Sequence, residues 1–178
     1  LEAEAECREV LSVSRMMISQ EYHATAVGPI QDSVLSEYIM SKKDVPIEKV
    51  QLMDAAMQVF AENKSGTNSD DWHGVKRMMQ LKETCESLGV PYLSSRTMLA
   101  LCFPPDFEYT GNGIEIRFGR VISGIIRKKN LRHIGHIVSK YYGQNAGCVF
   151  SSNIQRITCF YMNMTGFSLG LKDCIDDE

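Results

Sequence analysis

Three short β-patterned runs between two long stretches of helical periodicity most constrain what this chain can fold into. Residues 107–109, 114–118 and 121–127 read as strands. They are separated by Thr110-Gly111-Asn112-Gly113 and by Gly119. Asn-Gly between β-patterned runs is a strong hairpin signal, because both residues tolerate the left-handed turn that a two-residue connection needs. Connections this short leave no room for crossover helices, so the sheet must be antiparallel. Helical periodicity then resumes over residues 134–142. Phe150, Ile154, Ile157, Tyr161 and Met164 follow at spacings of four and three, one face of a longer helix that Gly166 is placed to stop. The expectation is an α+β domain, with several helices packed around a small antiparallel sheet and ending in a long helix.

Upstream, residues 3–17 are helix formers with acids in the first turn. Pro29 suits the first turn of a second helix, on which Ile30, Val34 and Tyr38 recur every four residues. Asp44 is placed to cap a third helix with an apolar stripe of Val50, Met53, Met57 and Phe60. Residues 63–71 (NKSGTNSDD) read as a loop. Residues 72–88 read as a helix stopped by Gly89 and Pro91. Residues 95–102 read as a short one ended by Pro104 and Pro105.

The chemistry is sparse. No apolar run approaches the roughly 18 residues of a membrane span. The six cysteines include no C-x-x-C pair, so zinc spacing is absent and reduced, half-buried thiols are expected. Asp70-Asp71 and Asp173, Asp176 and Asp177 are acid clusters expected to be solvated. His133 and His136 would share a helix face, but no third ligand is near, so packing roles are expected. There is no phosphate-binding glycine loop, and GFSLG (166–170), which has the letters of a G-x-S-x-G turn, follows a helix and reads as its C-cap. The chain therefore offers no self-contained active site: no catalytic and no metal-ligating residue is assigned.

Charge is the informative feature. The net charge is −3, yet residues 117–140 hold seven cations and no acid. Within them GRVISGIIRKKNL (residues 119–131) places Arg127, Lys128 and Lys129 at the end of the third β-patterned run. Such a local basic face suits one anionic partner at one place. Alternatives are a free-standing nucleotide- or nucleic-acid-binding module, and an interaction domain whose charges are merely solvated.

Several of these pieces occur in order in one family. GIEIRFGRVISGIIRKK (113–129) resembles the glycine-punctuated strands ending in a Lys-Lys pair in the largest subunit of multisubunit DNA-directed RNA polymerases. HIVSKYYG (136–143) resembles the histidine-bearing helix that follows, and SNIQRITCFYMNMTGFSLGLKD (152–173) the N-I-Q helix with its G-F-S-x-G-x-x-D end. AVGPIQDSVL (26–35) is similar to the family's G-x-x-Q-D segment, and LEAEAECREV (1–10) to the helix just after its active-site loop.

The resemblance implies a pore domain (domain 3 of that subunit) over residues 1–178, a piece of a longer chain. Residues 50–93 would be a lineage-specific helical segment, and a large DNA virus a plausible source. The domain would line the secondary channel, by which nucleoside triphosphates enter and the RNA 3′ end leaves on backtracking. The polymerase's Mg²⁺ would be bound outside this chain, by a D-F-D-G-D motif that would lie just before Leu1. The Lys pair carries over onto Lys128 and Lys129, with Arg127 beside them, as contacts to substrate phosphate or the RNA 3′ end. Gln31, Asp32, His136, Asn153, Gln155, Gly166, Phe167 and Gly170 carry over as residues packing the pore and active site. Partners would be the other polymerase subunits, above all the second largest, with template DNA, RNA and nucleoside triphosphates, and no membrane. The setting would be intracellular: the nucleus for a cellular enzyme, the host cytoplasm or virion for a viral one. Arg127 departs from nuclear relatives, which often carry an acid there, residues 130–134 are shorter than the loop of many relatives, and Lys172 stands where many have glycine.

Overall fold

The computed structural model of the chain describes residues 1–19, 21, 25–60 and 74–170. Its elements are α1 (Glu2–Glu9), α2 (Asp32–Lys42), α3 (Lys49–Phe60), α4 (Gly74–Ser87), α5 (Ser95–Ala100), β1 (Tyr109–Gly111), β2 (Ile114–Arg117), β3 (Arg120–Ser123), α6 (Lys128–Tyr142) and α7 (Gln144–Thr165). This is the α+β arrangement expected, with an antiparallel sheet in the order β1-β2-β3. The acid clusters, Cys174 and the 63–71 loop lie outside the described residues.

The sheet is two hairpins built the same way. Gly111 pairs with Ile114 across Asn112 (φ 53°) and Gly113 (φ 75°). Arg117 pairs with Arg120 across Phe118 (φ 50°) and Gly119 (φ 73°). Both central residues are left-handed each time, the geometry that matches the strands' own twist. Gly119 is also needed for space, since a Cβ there would lie 2.6 Å from the Pro104 carbonyl oxygen.

The third strand is shorter than the sequence predicts, ending at Ser123 rather than 127. Gly124 takes φ 93°, with its Cα side pressed on the Gly113 carbonyl and the Ile114 Cα, so the chain turns off the sheet. Conversely, the helix expected from 134 begins at Lys128.

The 22-residue α7 is the spine, packing against α2, α3, α5 and α6. Phe150 on α7 meets Phe103 with ring centroids 5.2 Å apart, and Phe103 stacks on Phe107 at 5.6 Å. Leu99, Ile116, Val121, Ile154 and Ile157 are fully buried around them. Each such side chain contributes about 1.5–3 kcal/mol by leaving water. α6 and α7 are antiparallel across Gly143: Gly147 lies on Ser139, and Gly135 faces Phe150 and Thr25.

Three expectations upstream need correction. The first helix stops at Glu9 instead of 17. Ser12 turns the chain there, its carbonyl taking the N–H groups of Arg15 and Met16. α2 starts at Asp32, so Pro29 precedes the helix. It buries Ser33, Ser36, Glu37, Met40 and Ser41, whereas Ile30 is exposed and Val34 and Tyr38 only half-buried. Small side chains let α2 approach the α7 backbone, where the Ser36 hydroxyl donates to the Thr158 carbonyl at 2.9 Å. α3 buries Leu52, Ala55, Ala56 and Val59, leaving the predicted stripe of Val50, Met53 and Met57 in solvent.

Candidate functional site

The sequence singled out a basic run, and folding divides it. Arg117 pairs with Glu115 at 2.6 Å on the sheet. Arg120, the largest fully buried side chain at 1% exposure, faces inward. Its guanidinium donates to Asp44 Oδ2 (3.1 Å), the Pro91 carbonyl (2.8 Å), Thr97 Oγ1 (2.7 Å), Ser94 Oγ (3.3 Å) and Cys85 Sγ (2.7 Å). Asp44 also accepts the Arg96 N–H at 3.2 Å, so it serves α5 and Arg120 rather than α3. Neither arginine belongs to an open cationic face.

Arg127, Lys128 and Lys129 remain exposed, as does Arg132 one turn on. They crown a helix rather than end a strand. Arg127 is the extended N-cap of α6 (φ −119°, ψ 161°), with no side-chain capping bond, and Lys128 and Lys129 open the helix. The first-turn N–H groups have no carbonyl partner within a helix, so they point outward with the positive end of the peptide dipoles. Fixed dipole and mobile cations thus share one sign in one place.

The terminus is held firmly. Ile126 is buried and its N–H donates to Ser41 Oγ at 2.9 Å, while the Asn130 amide donates to the Ile125 carbonyl at 3.4 Å. Leu131, Ile134 and Val138 bury the inner face of α6. Thr25 Oγ1 donates to the Arg132 carbonyl at 3.4 Å, laying the segment before α2 against α6. A cavity of about 90 Å³ lies between Gly28, Pro29, Ile30, Lys128 and Arg132. A neighbouring one of about 380 Å³ shares Gly28, Pro29 and Ser151 with it and reaches Gln155. Lys128 borders one cavity and Gln155 the other, in the seam beside the segment that leads into Gln31 and Asp32.

The other residues singled out are placed as follows. Gln31, at φ 50°, is the N-cap of α2 and Asp32 its first residue, both exposed. Gln155 is exposed and donates to Cys159 Sγ at 3.3 Å. His136 is half-buried with Nδ1 unpaired, while His133 is exposed and meets the Tyr109 ring edge-on at 5.9 Å. Asn153 is fully buried with both amide atoms unpaired. Gly166 (φ 66°) ends α7 as predicted, its N–H returning to the Met162 carbonyl. Phe167 and Gly170 follow in solvent. They lie past the C-terminus of α7 and line neither cavity of the seam.

One group the sequence reading passed over stands out. Glu37 is fully buried on α2, both carboxylate oxygens unpaired, and burial pushes its carboxyl up to about 8. Ser33, Ser36, Glu37, Met40 and Ser41 recur at helical spacing, and this small, polar periodicity was the available signal. Among the described residues no three histidine, cysteine, aspartate or glutamate side chains come together as metal ligands, and no helix is long and apolar enough to cross a membrane.

Fold and site thus define a helical domain with a small sheet that presents a rigid cationic helix terminus. The family model for RNA polymerase Rpb1, domain 3, matches residues 16–174, and the chain belongs to that family. It is 27% identical over 164 residues to a "Probable DNA-directed RNA polymerase II subunit RPB1 homolog" of Invertebrate iridescent virus 6, covering 84% of this chain and 15% of the relative. It is 23% identical over 189 residues to the DNA-directed RNA polymerase II subunit RPB1-B of Trypanosoma brucei brucei, covering 98% and 10%. It is 20% identical over 184 residues to the DNA-directed RNA polymerase subunit Rpo1N of Halobacterium salinarum, covering 97% and 17%. The chain thus spans less than a fifth of the length of these relatives.

Proposed function

We propose that this domain lines the pore of a DNA-directed RNA polymerase, with Arg127, Lys128 and Lys129 attracting the phosphates of nucleoside triphosphates or of the RNA 3′ end. The observation that carries the reading is the start of α6. Cations at a helix N-terminus oppose the dipole by about 0.3–1 kcal/mol each when exposed. A polyanion reverses that sign, gaining from both the ammonium groups and the free N–H groups. The terminus is pinned through Ile126 and Leu131, so the gain needs little reordering. Its membership of the Rpb1 domain 3 family supports a place beside polymerase chemistry.

The residues of this chain bind and steer; they transfer no proton or phosphoryl group. On this reading the polymerase's Mg²⁺ is bound elsewhere in the enzyme. The second-largest subunit, template DNA and RNA are the partners it implies.

The test is Lys128→Ala with Lys129→Ala in the assembled polymerase. The expected result is a roughly three- to tenfold rise in apparent KM for nucleotides, equal to about 0.7–1.4 kcal/mol. The rise should be larger at low salt, with assembly unchanged. An unaltered nucleotide dependence at low salt would remove the phosphate role. Tight, salt-dependent nucleotide binding by the isolated chain would favour the free-standing module instead.

A further inference from the structure

α3 carries two apolar stripes. Leu52, Ala55, Ala56 and Val59 serve the core, and Val50, Met53 and Met57 do not. α4 repeats the pattern, burying Leu81 and Cys85 while Val75 and Met79 face outward. The Phe60 end of α3 meets the start of α4, where a Cβ on Gly74 would lie 2.8 Å from the Phe60 ring. Between the two helices runs a groove of about 750 Å³, with Met53, Met57, Met78 and Met79 among its walls. Met57 is 66% and Val75 72% exposed, a heavy apolar exposure the fold itself does not require.

The charged lining is one-sided. Among the described residues, Lys49 and Lys82 are the charged side chains of the groove. Lys49 opens α3 and Lys82 sits in the last two turns of α4, so both lie at the end opposite Phe60 and Gly74. The exposed Lys82 is only loosely engaged by Glu86, at 3.9 Å. A small anion would gain nothing from the long apolar walls, and a wholly apolar ligand nothing from the lysines. An amphipathic helix satisfies both, seating an apolar stripe between α3 and α4 with acids, and the negative end of its dipole, at the lysines. Unbranched methionine side chains adapt to such a stripe.

We propose that the α3–α4 groove is a docking site for an amphipathic α-helix of another polypeptide, acidic at its C-terminal end. This stands independently of the pore reading, since groove and α6 terminus share no residue.

The probe is a fluorescein-labelled 16-residue peptide with leucines at helical spacing and two glutamates in its last turn, titrated into the full chain by fluorescence anisotropy. Saturable binding at roughly micromolar Kd is expected. It should weaken about tenfold or more with Met57→Glu, and likewise with Met79→Glu. Lys49→Glu with Lys82→Glu should weaken it too, and a peptide ending in two lysines should restore binding to that variant. These positions are exposed, and unchanged circular dichroism would establish that the variants fold. Absence of saturable binding overturns the proposal, as does equal affinity of the acidic and basic peptides for the parent chain. Self-association on sedimentation that Met57→Glu abolishes would make a second copy the occupant and overturn it as well.

Discussion

Glu37 shows what burial does to one carboxyl group. Deep in α2, with both oxygens unpaired, it is held up at about 8 against an ordinary 4.5. Nearby Cys102 is also raised, first by burial and then by the Glu37 charge. The folded protein therefore keeps a proton that the unfolded chain releases. The stabilisation this gives is complete below about pH 4.5 and is lost as pH rises to about 8. Glu37→Gln keeps the shape and removes the titration. The variant should be more stable than the parent by roughly 3–5 kcal/mol at pH 8, the difference closing towards pH 4. Urea unfolding of both proteins at pH 4, 6 and 8 checks this. Parent stability that does not fall across that range would mean the carboxyl ionises freely in the folded state.

Among the elements, the α6–α7 hairpin depends on a missing methyl group. Gly147 sits inside a helix, where alanine would ordinarily gain about 0.5–1 kcal/mol. A Cβ there would strike the Ser139 hydroxyl and lie 3.0 Å from the Ser139 Cβ. Overpacking of about 1–3 kcal/mol should win, so Gly147→Ala lowers the thermal midpoint and Ser139→Gly in the same chain restores it. A midpoint that rises in the single variant would show that the helices move apart freely. Elements with strong local signals were legible in the sequence: the Asn112-Gly113 turn, the four-three periodicity of α7 and its stop at Gly166. What escaped was set by contacts between distant residues. Nothing local told that Gly124 would leave the sheet to seat on the Gly113 turn, moving the basic triplet from a strand end to a helix start. Nor could hydrophobicity alone find the inner face of α2, because that face is serine and glutamate. The α3 stripe misled for a related reason: two apolar faces share one helix, and composition does not say which one the core takes. Of the site, the triplet itself was legible; the loss of Arg120 to the interior was not.

Across the whole molecule, the two surfaces singled out are served by different halves of the fold. The cationic terminus stands on α6 and α7, the groove on α3 and α4, and both pairs rest on the same core. Arg120 joins these regions, since its five partners lie between Asp44 and Thr97 while its own strand leads towards α6. The Arg120 side chain is 1% and the Asp44 side chain 22% exposed, so withdrawing the carboxylate leaves a buried guanidinium uncompensated, at no more than about 3–5 kcal/mol. The strand cannot peel away without breaking all of these bonds at once. Hydrogen–deuterium exchange should therefore treat β3, α5 and the end of α2 as a single cooperative unit, opening only with global unfolding. Amides of α1, which buries no residue, should exchange first. In Asp44→Asn the unit should split, with β3 amides exchanging ahead of those in α5. The tie that makes a buried arginine expensive to remove would thereby set how long the cations at the start of α6 keep their place between one opening of the protein and the next.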